Sequence, residues 1–72
     1  MYVVYIEFSR CEFSGGWDYS ESDTKTYYEA KSEPAVLDVW TDTGKKENYK
    51  FKKGSMVRIT TNTVRINKED IK

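Results

Sequence analysis

Two stretches hold the residues that could do chemistry, and both point to binding rather than catalysis. The first is basic. Trp40 stands near Lys45, Lys46, Lys50, Lys52 and Lys53, with Arg58 and Arg65 further along. Lysines meet phosphates, and an exposed aromatic offers a π-face to a base at about 1–3 kcal/mol per stacked base, so the set suits single-stranded nucleic acid. Its plain alternative is a solvated hairpin face, where lysines guard the sheet against edge-to-edge association. The second stretch is acidic and aromatic: Trp17, Asp18, Tyr19, Glu21, Asp23, Tyr27 and Glu29. Tyr and Trp bury much area with few rotors and are favoured in protein interfaces. Acids among them could engage a basic groove on another protein, in the limit as a mimic of phosphates. Its plain alternative is an acidic loop beside ordinary core aromatics.

Catalytic machinery is harder to assemble. The chain has no histidine, so no Ser–His or Cys–His nucleophile exists. Its single cysteine, Cys11, shares a strand parity with Phe13 and reads as a small buried hydrophobe. One cysteine without histidine makes neither a zinc ligand set nor an internal disulfide. Gly15 and Gly16 are not followed by the lysine–serine pair or the helix start of a phosphate loop. A chain of 72 residues also leaves little room for a substrate cavity of about 300 Å3 or more. The expectation is a protein that is not an enzyme and carries no cofactor or metal.

The net charge is zero, but unevenly spread. Residues 1–43 hold nine acids against three bases, a net −6, and residues 44–72 hold nine bases against three acids, a net +6. Such a split offers an acidic surface and a basic one, or two halves that pair across a sheet. The N-terminal stretch has no basic segment and its apolar run is broken by Glu7, so no secretory leader is expected. Nothing nears the roughly 18 apolar residues of a membrane span. With no disulfide framework, a reducing, cytoplasmic setting is expected. The lysine- and tyrosine-rich composition of so small a chain resembles that of proteins encoded by bacteriophages and mobile elements.

These residues need a scaffold, and the pattern predicts one domain that is all β: a small barrel or sandwich of about five or six short antiparallel strands. A chain this small buries only about 60% of its unfolded surface, so the 15% aromatic content supplies needed apolar area. The first strand spans residues 2–8 and continues towards Phe13. Its apolar parity changes after Ser9, which calls for a one-residue bulge or for a strand that bends between two sheets. Gly15 and Gly16 make a turn, and Trp17 to Tyr19 start a return strand. The polar residues 20–23 read as a loop. Residues 24–31 read as a further strand, ended by Pro34.

The next two hairpins can be put in register. A turn with Gly44 in the left-handed region sets Thr41 opposite Lys45, Val39 opposite Glu47, Leu37 opposite Tyr49 and Ala35 opposite Phe51. Val36, Asp38 and Trp40 then share the outer face with Lys46, Asn48, Lys50 and Lys52, since a one-residue slip would flip every side chain. In the last hairpin Ile59 meets Val64 and Val57 meets Ile66, leaving Arg58, Thr60, Thr63 and Arg65 on the other face. Asn67 reads as an N-cap for a single helical turn that brings Ile71 against the open end of the core. Three functions are compatible: a protein-binding module, an inhibitor or adaptor, through the acidic–aromatic stretch; a single-stranded nucleic-acid binder through residues 45–53; and a homodimer built on the edge strand 2–8. No membrane partner is expected.

Overall fold

Branched and aromatic residues in alternation with polar ones favour pleated backbone throughout the chain, and a computed structural model, which describes residues 3–22, 25–60 and 63–72, bears this out. The described residues form eight strands: β1 Val3–Glu7, β2 Arg10–Ser14, β3 Trp17–Ser22, β4 Lys25–Ala30, β5 Ala35–Trp40, β6 Lys46–Phe51, β7 Met56–Thr60 and β8 Thr63–Asn67. They make two antiparallel sheets, one in the order β1-β8-β7-β4-β3 and one in the order β2-β5-β6. Both face one core, in which Ala30, Ala35, Leu37, Val39, Phe51, Val57, Val64 and Ile66 are fully buried. Each large side chain so enclosed contributes about 1.5–3 kcal/mol over its exposed state.

The strands depart from the expected ones in two places. The first long strand divides at Phe8 and Ser9, where the chain leaves one sheet for the other and the Ser9 amide donates to the Trp40 carbonyl at 3.1 Å. Because the two sheets view the core from opposite sides, the inward parity must reset at this corner. Phe8 is buried, and Cys11 and Phe13 on the new parity pack against the core. The second place is residues 20–22: Ser20, Glu21 and Ser22 are not a loop. They continue β3 and pair with Tyr27, Thr26 and Lys25, since the ladder of an edge strand satisfies a polar backbone whatever its side chains. Asp23 lies outside the described residues.

The turn at Gly15 and Gly16 also does something other than close a hairpin. It carries β2 of the small sheet into β3 of the large one. Gly15 has φ +80, and a Cβ there would meet the Pro34 carbonyl and sit 2.7 Å from Ala35 Cα. Only glycine takes that backbone at that distance. The Ser32 hydroxyl donates to the Gly15 carbonyl at 2.7 Å and locks the corner to the segment before β5.

The later hairpins keep their expected registers. Val39 lies opposite Glu47, Leu37 opposite Tyr49 and Ala35 opposite Phe51, with the Thr41 amide bonded to the Lys45 carbonyl at 2.8 Å and Gly44 at φ 82. Val57 meets Ile66 and Ile59 meets Val64. A 3-10 turn, Lys68–Asp70, follows β8, and the Asn67 side chain caps it by accepting from the Glu69 amide at 3.1 Å. Ile71 then bridges to Phe51 and packs on the core. Buried Ser55 ties this end together: its hydroxyl lies 2.6 Å from the Lys52 carbonyl and 3.2 Å from that of Asp70. No helix among the described residues is long and apolar enough to cross a membrane.

Candidate binding faces

The outer face of the large sheet carries an arrangement that strand order alone creates. Tyr5 on β1 pairs with Arg65 on β8, Arg65 with Arg58 on β7, Arg58 with Tyr27 on β4, and Tyr27 with Ser20 on β3. Alternation turns all of them away from the core. The result is one cross-strand row reading Tyr, Arg, Arg, Tyr, Ser. Tyr5 is 62% exposed, and the Arg65 guanidinium carbon lies 4.8 Å from its ring centroid. An open cavity of about 190 Å3 is lined by Tyr27, Met56, Arg58, Arg65 and Asn67.

Two like charges directly opposite on neighbouring strands destabilise a sheet. Usually acids intervene. Here, among the described residues, neither Arg58 nor Arg65 has an acidic partner within ion-pair distance. Arg58 Nε is enclosed and has no hydrogen-bond acceptor, which costs a charged donor more than a neutral one. Two of the acids on this face are occupied. Glu29 and Asp18, paired across β3 and β4, both hold Lys31, at 2.9 and 3.5 Å. Glu29 first, with Asp18 behind it, raises the Lys31 ammonium above its ordinary pKa.

The acidic–aromatic stretch is divided between two faces. Asp18, Tyr27 and Glu29 lie on the outer face just described. Trp17 turns inward, with edge contacts to Phe13 at 5.4 Å and Phe51 at 5.2 Å, and its indole N–H donates to the Val36 carbonyl at 3.2 Å. Tyr19 shares that side of β3, 5.3 Å from the Tyr28 ring and 56% exposed. Glu21 occupies a β3 position opposite Thr26.

The basic hairpin is likewise dispersed. On the outer face of the small sheet one row runs Arg10, Trp40, Lys46. Arg10 lies 4.4 Å and Lys46 5.6 Å from the Trp40 ring centroid, so the indole is covered by cations from both neighbouring strands. Its N–H is enclosed without an acceptor. Lys46 pairs with Asp38 at 3.3 Å, and Asp38 also accepts from the Asn48 amide. Lys50 is exposed on this face. Lys45 lies in the turn before β6, and Lys52 and Lys53 lie beyond its far end, where Lys52 Nζ donates to the Glu69 carbonyl at 3.0 Å. Arg58, grouped with this hairpin by sequence, belongs to the other sheet.

Other titratable groups serve structure. Burial, then the Glu47 carboxylate 2.8 Å away, pushes the Tyr49 phenol up to about 12. Burial also raises the Cys11 thiol, which disfavours the reactive thiolate. Among the described residues no three metal-ligating side chains converge.

Sequence reasoning placed Tyr5 only within the edge strand 2–8 and left Met56 and Asn67 out of any binding site. The signal for Arg58 beside Arg65 was in the last hairpin's register, but their tyrosine neighbours come from strands distant in sequence. No protein-family model, no curated protein and no solved structure matches this chain.

Proposed function

We propose that this is a non-catalytic binding domain that engages an anionic partner through the outer face of the large sheet. The observation that carries this reading is the facing pair Arg58 and Arg65, directly opposite and, among the described residues, with no acid within ion-pair distance. An anion across the two guanidiniums would relieve their repulsion, and the planar fork of arginine suits phosphate and carboxylate alike. The small sheet's basic hairpin is a weaker candidate, because Lys46 is already neutralised by Asp38 and Trp40 is covered. A protein partner remains within this reading if it presents acidic side chains.

The test is retention on immobilised heparin across a salt gradient. The native chain should bind at low salt. Arg58→Gln with Arg65→Gln should elute distinctly earlier, while Lys46→Gln with Lys50→Gln should elute close to the native chain. Equal elution of the native and arginine-substituted chains, or a larger loss from the lysine pair, would remove the reading.

A further inference from the structure

We infer that the anion is the backbone of a single-stranded nucleic acid, with a phosphate seated over Arg58 and Arg65 and bases against Tyr5 and Tyr27. This rests on the reading above and adds the partner's class. Three features favour a strand with unstacked bases over a simple polyanion. The first is symmetry: the arginine pair has a tyrosine on each side in the same cross-strand row. Tyr5 and Tyr27 are thus three strand spacings apart, about 14 Å. A phosphate chain crossing the sheet perpendicular to its strands would meet, in order, a ring, two guanidiniums and a ring.

The second feature is the cavity. Its five lining residues combine a tyrosine ring and a methionine thioether with the Asn67 amide and the two arginines. That is a flat apolar wall, a polarizable side chain, a hydrogen-bonding group for a base edge, and charge for the phosphate. A carboxylate partner would use only the arginines. The third feature is exposure on the other side of the pair. Tyr5 is mostly open to solvent, and Arg65 already stacks on it, so a base can extend an existing stack of ring and guanidinium. Duplex bases present only their edges in the grooves, and their faces cannot reach either ring.

The experiment is fluorescence anisotropy at low salt with a labelled oligothymidylate, its duplex with oligoadenylate, and unlabelled heparin and polyglutamate as competitors. Four chains are compared: native, Arg58→Gln/Arg65→Gln, Tyr5→Leu/Tyr27→Leu, and Lys46→Gln/Lys50→Gln. Leucine keeps apolar bulk on the strand and removes the π-face, and thermal melting checks each fold. The single strand should bind more tightly than the duplex. The tyrosine pair should weaken it about tenfold or more, given about 1–3 kcal/mol per stacked base, while heparin retention stays unchanged. If the tyrosine pair has no effect, or duplex or polyglutamate binds as well as the single strand, the inference fails and the anion-binding reading stands. If no polyanion binds in an arginine-dependent way, both fail.

Discussion

Replacing Arg58 by threonine should make the domain more stable. Arg58 faces Arg65 directly across β7 and β8, and like charges so placed cost about 0.2–1 kcal/mol. Its Nε is enclosed without an acceptor, a further cost of about 1–3 kcal/mol. Threonine removes both terms and suits an outer strand position. Against this stands the arginine stem, whose partly buried methylenes contribute up to about 0.8 kcal/mol each. The balance is a gain of about 1 kcal/mol, and a domain of this size shifts in Tm by about 4–8 °C per kcal/mol. Thermal unfolding by circular dichroism, with urea titration at an unchanged m value, reads this directly. Phosphate added at constant ionic strength should raise the Tm of the native chain more than that of Arg58→Thr, because only the native chain holds both guanidiniums for the anion. A loss of 1 kcal/mol or more in Arg58→Thr would refute the reasoning: the guanidinium would then be a satisfied structural group, not one kept at a cost to stability.

Three further outcomes follow from the core and its corners. Ser55→Ala removes the hydroxyl that the Lys52 and Asp70 carbonyls share and should cost about 0.5–1.5 kcal/mol in urea unfolding; a neutral result would mean that the C-terminal turn is held by its backbone bonds alone. Gly15→Ala forces a Cβ onto the Pro34 carbonyl at positive φ, and should cost more than about 1 kcal/mol, whereas the same change at an unstrained site stabilises; the shift in urea midpoint measures it. The Tyr49 phenol is pushed from 10.0 to about 12 by burial and Glu47, so the folded chain holds this proton more tightly than the unfolded one. That contribution is whole below about pH 10 and is lost as pH rises through about 12. Tyr49→Phe should therefore lose stability less steeply over that window, and an identical slope in the two chains would contradict the assignment.

What the residues disclosed by themselves was local. The two late hairpins could be registered because a turn residue and a period of two fix each pairing within a few residues, and from this Arg58 and Arg65 fall on one face. The reset of parity after Ser9 was visible for the same reason. Strand order was not visible. β1 pairs with β8 from opposite ends of the chain, and β4 reaches β7 past the β5–β6 hairpin of the second sheet. Only those pairings bring Tyr5 and Tyr27 beside the arginines. Trp17 illustrates the converse. In sequence it sits among acids and reads as surface, but the Gly15–Gly16 corner hands the chain to the other sheet and turns the indole inward. Trp40 reads as a free stacking platform until β2 pairs with β5 and sets Arg10 over it. The opposed charges of the two halves meet only in part: Lys46 with Asp38 and Lys72 with Glu33 join them, whereas Lys31 finds its acids in its own half.

The most direct measurement is an NMR titration of the isotopically labelled native chain with oligothymidylate. Amide and side-chain shifts should move together at Tyr5, Tyr27, Met56, Arg58, Arg65 and Asn67, all on one face of the large sheet. Shifts confined to Trp40, Lys46 and Lys50 on the opposite sheet, or none at saturating oligonucleotide, would contradict the account.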